Sequence, residues 1–324
     1  MELKLMGKNI KGIPVAPLMG APGIQLSNTK LKQNLENANI QFDSLAKLYN
    51  EFKPDAMFNM MDLTVEAEAL GAGLLKPKNK PFSVVSHPIK NKDDFKKLSL
   101  NRTNIEGRKK IFLDVISNMK NSFDCKVISY IIGPYTLAGL LNGIDRIIKN
   151  VIKDPEYLKE LLRFATDFVY AYGNEIIDKG ADALCILEPT AGMLSPQQFE
   201  EFSGEYVKEL ISKWSIPSIL HICGNTSHLI SKMVETHPAG ISLDSLVDLA
   251  KLSSIVPQEI DIIGNIDPVN VVAYGDKELV KEKTLLLINQ MKKNNNFILS
   301  TGCDLPQDSD LKNIELFVNL ARNS

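Results

Sequence analysis

Short apolar, β-branched runs alternate along this chain with longer stretches whose apolar residues recur at helical spacing. The runs cover residues 13–17, 56–61, 126–132, 182–188, 216–223, 240–244, 261–266 and 297–300, and each reads as a strand. Between them, residues 155–179 place Leu158, Leu161, Leu162, Ala165, Phe168 and Val169 on one helical face, with Asp154 as N-cap and Pro155 at the first helical position. Residues 278–293 follow the same pattern. This alternation predicts an α/β fold of repeated βα units on a parallel sheet, and eight such strands favour a closed (β/α)8 TIM barrel over an open sheet. Residues 77–121 do not fit one βα unit, which predicts an insertion after the second strand carrying a hairpin-like segment and a helix. No internal repeat or low-complexity segment is evident.

Length and composition narrow the classes of partner. A chain of 324 residues with 44% hydrophobic content can bury a full core, and barrels of this length are commonly one domain, here residues 1–324. A net charge of −2 gives no basic footprint for nucleic acid and no basic surface for a membrane. Residues 1–12 are polar and lack the apolar core of a signal peptide, and no apolar stretch approaches a membrane span. A cytoplasmic location is expected, with small molecules or proteins as partners. Four scattered cysteines in such a chain are expected to be reduced rather than paired.

A barrel directs attention to the C-terminal strand ends, where its active sites lie. Those ends carry Asp62, Glu188, His221, Cys223, Asp244, Asn265, Asp267 and Cys303. The run His221-Ile222-Cys223-Gly224-Asn225-Thr226 closes an apolar strand, so His221 and Cys223 share one face. Cys303 follows another apolar run and a glycine, on a loop able to reach a neighbouring strand end. One imidazole and two thiols meeting there suit zinc. A structural zinc would ordinarily close with a fourth Cys or His, and only His228 is near in sequence. For the acids the plain alternative is a helix cap or solvated loop, which suits Asp267 best and Asp62 next. Glu188 ends a nearly continuous apolar strand before Pro189, and Asp244 ends the strand after the His221 strand, so both are candidate catalytic residues. Cys125 and Cys185 read as core thiols, His87 and His237 as loop residues before prolines, and His228 as a surface residue.

Five landmarks in order carry a family resemblance: residues 14–23; Met61-Asp62-Leu63-Thr64-Val65-Glu66 with Ala69-Leu70-Gly71; Gly133-Pro134-Tyr135-Thr136-Leu137-Ala138-Gly139; residues 221–226; and Gly264-Asn265-Ile266-Asp267-Pro268. Together they resemble the uroporphyrinogen decarboxylase superfamily over most of the chain. The His-x-Cys and distant Cys resemble its zinc-dependent corrinoid methyltransferases, which methylate coenzyme M. The decarboxylases hold their polycarboxylate substrate with N-terminal arginines, whereas the corresponding stretch here, Met19-Gly20-Ala21-Pro22-Gly23-Ile24, has none.

The resemblance implies His221, Cys223 and Cys303 as ligands of Zn2+. Two thiolates cancel the metal's charge, so a substrate thiol can lose its proton there yet stay nucleophilic. The implied reaction moves methyl from a methyl-Co(III) corrinoid, supplied on a partner protein, to a small thiol such as coenzyme M. Transfer between an O- or N-methyl donor, corrinoid and tetrahydrofolate or homocysteine is the alternative, and porphyrinogen decarboxylation or a non-catalytic relative the remaining ones. For a fourth zinc ligand, water is the default, Asp244 the first protein candidate and Glu188 the second, Glu188 alternatively facing the bound thiol.

Overall fold

The computed structural model describes residue 5 and residues 12–100, 107–252 and 254–324. Apart from Leu5 and Gly12, the polar N-terminal stretch lies outside the described residues, as do residues 101–106 of the expected insertion. The chain is a mixed α/β fold around seven parallel strands: β1 (Ala56–Phe58), β4 (Lys126–Ile132), β5 (Ala183–Leu187), β6 (Ser218–Ile222), β7 (Gly240–Leu243), β8 (Asp261–Ile266) and β9 (Phe297–Thr301), side by side in that order. Apart from them, β2 (Gly73–Leu75) and β3 (Ser83–Ser86) form an antiparallel ribbon, followed by helices Lys92–Leu100 and Lys109–Ser122.

The strand expected over residues 13–17 shrinks to one bridge residue. Val15 pairs in parallel with Leu299, the Ala16 amide donates to the Leu299 carbonyl, and the Asp55 amide donates to the Val15 carbonyl at 3.0 Å. This segment therefore links β9, at one edge of the sheet, to the residue just before β1, at the other. Pro14 and Pro17 explain the shortness, since neither has an amide to give a ladder. The run over 56–61 is likewise cut to three residues, and the other strands lie within about two residues of expectation.

Side-chain alternation sorts the strands into two cores. Ala183, Cys185 and Leu187 of β5, Ile128 and Tyr130 of β4 and Ile219 of β6 join a cluster on the inner face. Leu184, Ile186, Val127, Ile131, Leu220 and Ile222 join the larger cluster under the helices. His221 falls between Leu220 and Ile222, so it takes the inner parity of Ile219. The long helix, Pro155–Asp178, starts as its cap predicts, the Asp154 carboxylate accepting from the Tyr157 amide. Among the described residues no helix is long and apolar enough to cross a membrane.

Candidate metal centre

Two parallel strands of the sheet deliver the cluster. His221 is the fourth residue of β6, Cys223 follows the strand directly, and Cys303 lies two residues beyond β9. The His221 Nε2 is 3.1 Å from Cys223 Sγ and 3.9 Å from Cys303 Sγ, and the two sulfurs are 3.5 Å apart. Edges of a tetrahedron around zinc, with two sulfurs and one nitrogen at ordinary bond lengths, are about 3.5–3.8 Å. The donor set and its spacing fit that ion. Among the described residues these three side chains form the one group of His, Cys, Asp or Glu placed to hold a metal. His221 is buried and both thiols are half-buried, so one side of the triangle faces accessible space.

The approach of β9 depends on Gly302. A Cβ there would lie 2.4 Å from the Ser245 backbone nitrogen, so any side chain would push Cys303 away from Cys223. The two thiols share a proton unequally. Cys223 is lowered from the ordinary thiol value, chiefly by the hydrogen bond from Cys303, against the effect of burial. Cys303 is raised, first by that same bond and then by burial. Cys223 is thus the readier thiolate.

Neither candidate carboxylate belongs to the triad. Glu188 is fully buried, and its oxygens accept from the amides of Tyr135 (3.1 Å) and Thr136 (2.6 Å), at the start of helix Pro134–Asn142. Burial lifts it to about 7 in spite of those bonds. A Cβ on Gly133 would lie 2.2 Å from Glu188 Oε2, which explains the glycine that opens that landmark. Asp244 is a loop organiser: Oδ2 accepts from the Gly224 amide at 2.9 Å and Oδ1 from the Leu246 amide at 3.0 Å. Its carbonyl accepts from Asn265 Nδ2 at 2.8 Å, so Asp244 ties the loops after β6 and β7 to the end of β8. It steadies the residue next to Cys223.

The remaining expected residues divide cleanly. Asp267 caps a turn, accepting from Val269 and Asn270 amides. Asp62 accepts from Thr64 and pairs with Arg108 at 2.5 Å. Cys185 is buried in the inner core and Cys125 is half-buried, its thiol pushed up to about 12 by burial. His228 is exposed, with Nε2 3.2 Å from the Leu194 carbonyl. His87 Nδ1 lies 2.8 Å from the Leu140 carbonyl and His237 takes a left-handed turn conformation.

Two features escaped the sequence reading. Arg108 is buried among Asp62, Glu68 and Thr64, and stacks 4.7 Å from the Phe82 ring centroid. Nothing in its local sequence marks it, because Glu68 lies 40 residues away and Asp62 46. The other is Asp304, adjacent to Cys303, in the wall of a cavity of about 480 Å³ shared with Met60, Met61, Leu63 and Phe82. A carboxylate next to a proposed ligand was the available signal.

Residues 4–324 match the uroporphyrinogen decarboxylase (URO-D) family. The chain is similar to the methylcobamide:CoM methyltransferase MtbA of Methanosarcina acetivorans, at 32% identity over 81% of this chain and 78% of that one. It is also similar to the uroporphyrinogen decarboxylase of Vesicomyosocius okutanii, at 28% identity over 83% and 80% of the two chains. Its fold superposes on that of a methyltransferase from Methanosarcina mazei with a TM-score of 0.89, at 22% sequence identity and covering 99% of this chain and 96% of the other. The chain therefore belongs to the uroporphyrinogen decarboxylase family, on its methyltransferase branch.

Proposed function

We propose that this methyltransferase holds one zinc ion on His221, Cys223 and Cys303 and moves a methyl group from a methyl-Co(III) corrinoid, presented by a partner protein, to a small thiol. The observation that carries the reading is the triad itself, two thiols and an imidazole with edges of 3.1, 3.5 and 3.9 Å at strand ends. We read the sheet, with Val15 as its eighth member, as a single-domain (β/α)8 barrel with the β2–β3 ribbon and its helices as an insertion. The protein is read as cytoplasmic.

Zinc on two thiolates has no net charge left for water activation and favours instead the ionised form of an added thiol. The acceptor's S–H proton leaves to solvent, its sulfur forms the new S–CH3 bond, and the Co–C bond breaks with its electron pair staying on cobalt as Co(I). This chain's own residues orient the site. Ser242 fixes the His221 ring through Nδ1, Asp244 holds the Gly224 amide behind Cys223, and Gly302 lets Cys303 approach. Coenzyme M is the acceptor named for the MtbA relatives, and it is the first to try here. Porphyrinogen decarboxylation is disfavoured: the charged residues lining the described cavity are Asp62, Asp304 and Asp308, the wrong sign for a polycarboxylate. Elemental analysis tests the metal: one zinc per chain is expected, lost in Cys303→Ser, and a protein that binds none after zinc loading would end this proposal. Loss of methylcobalamin on adding thiol tests the reaction.

A further inference from the structure

The two thiols of the triad are brought together by backbone contacts around them. β6 and β9 are not neighbours in the sheet, since β7 and β8 lie between them, yet Cys223 Sγ and Cys303 Sγ are 3.5 Å apart. The loop after β7 explains the meeting. Asp244 Oδ2 accepts from the Gly224 amide at 2.9 Å. Gly302 packs so closely on the next peptide that a Cβ there would lie 2.4 Å from the Ser245 nitrogen and 3.1 Å from the Asp244 carbonyl carbon. The residue after Cys223 and the residue before Cys303 therefore rest on the same support. Neither contact uses a thiol or an imidazole, so the pair stays together with or without a bound ion.

Distance, freedom and access then favour one further reaction. A disulfide holds its sulfurs at about 2.05 Å, so the two thiols have to close by about 1.5 Å. Both cysteines lie outside the strands, Cys223 directly after β6 and Cys303 two residues beyond β9, where a small turn of the side chain disturbs no ladder. Apart from its chain neighbours, no heavy atom lies within 4 Å of where a Cβ on Gly224 would stand, which leaves room beside Cys223. Both thiols are half-buried, so a small oxidant reaches them. The other cysteines differ: Cys185 is fully buried in the inner core, and Cys125 Sγ donates to the Lys126 carbonyl at 3.6 Å.

We propose that Cys223 and Cys303 form a reversible redox switch as well as a metal site: a hydroperoxide joins them as a disulfide and releases the ion, and a dithiol restores them. One sulfur attacks a peroxide oxygen, the O–O bond breaks, and the alcohol or water fragment leaves with that thiol's proton. The second sulfur then attacks the sulfenic acid so formed, whose hydroxyl departs as water with the second proton. The thiol pair loses two electrons and the peroxide gains them. Starting from the two thiolates of a zinc site, solvent supplies both protons and Zn2+ is released, because His221 alone is left to hold it. A second thiol already in contact stops the first at sulfenic acid, before a further peroxide makes it sulfinic. Release of zinc rests on the metal reading above, whereas the disulfide needs only the thiol pair.

The test titrates zinc-loaded protein with hydrogen peroxide, with metal-stripped protein in parallel. Released zinc is read with a chromophoric chelator, and thiols and crosslinks by peptide mass mapping without reductant. Lysines lie along the 80 positions that separate the two cysteines, so the bond appears as a joined pair of tryptic peptides. About one zinc should leave per disulfide formed, with Cys223 crosslinked to Cys303 while Cys125 and Cys185 stay reduced. Dithiothreitol and added zinc should then restore zinc binding. In Cys303→Ser the crosslink is expected to vanish and dimedone to capture a sulfenic acid at Cys223. Thiols that survive the peroxide, sulfinic acid without a crosslink, earlier oxidation of Cys125 or Cys185, or a crosslink that leaves zinc bound each overturns the inference. If the protein binds no zinc, the proposed function fails, and mapping of the metal-stripped chain still decides the disulfide.

Discussion

Ser242 Oγ stands 2.9 Å from His221 Nδ1, and the two residues are direct partners across the parallel β6–β7 ladder. The hydroxyl takes up Nδ1, so Nε2 is the nitrogen left to face both thiols. Sheet register thus fixes the orientation of the metal-facing imidazole. Ser242→Ala should keep the fold and lower zinc affinity by about 10–100-fold, read by competition with a chelator. An unaltered affinity would mean that the ring is held by packing alone.

Gly302 is a second lever on the same triad, since a methyl group there meets the Ser245 backbone nitrogen at 2.4 Å. Gly302→Ala is expected to displace Cys303, reduce zinc occupancy and slow methyl transfer together. A variant with full zinc content and full activity would show that the loop relaxes without moving the thiol.

Arg108 joins Asp62 and Glu68, each at 2.5 Å, in a largely buried network. Arg108→Met leaves the buried Asp62 carboxylate without its cation and Glu68 with Lys76 alone, and unfolding by denaturant should show a loss of about 3–5 kcal/mol. Arg108→Lys restores charge but offers no planar fork, so a partial recovery is expected. Equal stability of the Met variant and wild type would contradict the assigned role.

Glu66 accepts from the Ile132 amide at 2.9 Å and is buried, which raises its carboxyl from 4.5 to about 7. Across that window the folded chain keeps a proton that the unfolded chain has released. Its contribution to stability is complete below 4.5 and is lost as pH rises through about 7. Glu66→Gln keeps the acceptor and removes the titration. The stability of wild type relative to this variant should therefore fall by up to about 3 kcal/mol between about pH 4.5 and pH 8. A difference that is flat with pH, or that grows, counts against the assignment.

What could be read beforehand follows the range of the forces involved. Strands and long helices are local patterns, so β4 through β9 and the helix Pro155–Asp178 were legible from periodicity and caps. His221 and Cys223 were legible because strand alternation is also local, and Cys303 because a thiol after a strand and glycine is rare in this sequence. The reduction of the first strand to Val15 follows from pairing at both sheet edges, which periodicity does not report. Glu188 and Asp244 were placed correctly at strand ends, but their hydrogen bonds to Tyr135, Thr136, Gly224 and Leu246 come from loops that only the fold brings together. The Arg108 network escaped for the same reason, its partners being far apart in the chain.

The central claim is that zinc on this triad activates a thiol toward a corrinoid-bound methyl group. The most direct measurement follows 13C-labelled methyl from methylcobalamin into product by NMR, using zinc-loaded protein, metal-stripped protein and Cys303→Ser, with coenzyme M and other small thiols offered in turn. The account predicts a labelled S-methyl thioether and Co(I) with zinc-loaded wild type only. Label that stays on cobalt with every thiol, or that moves equally fast without zinc, contradicts it.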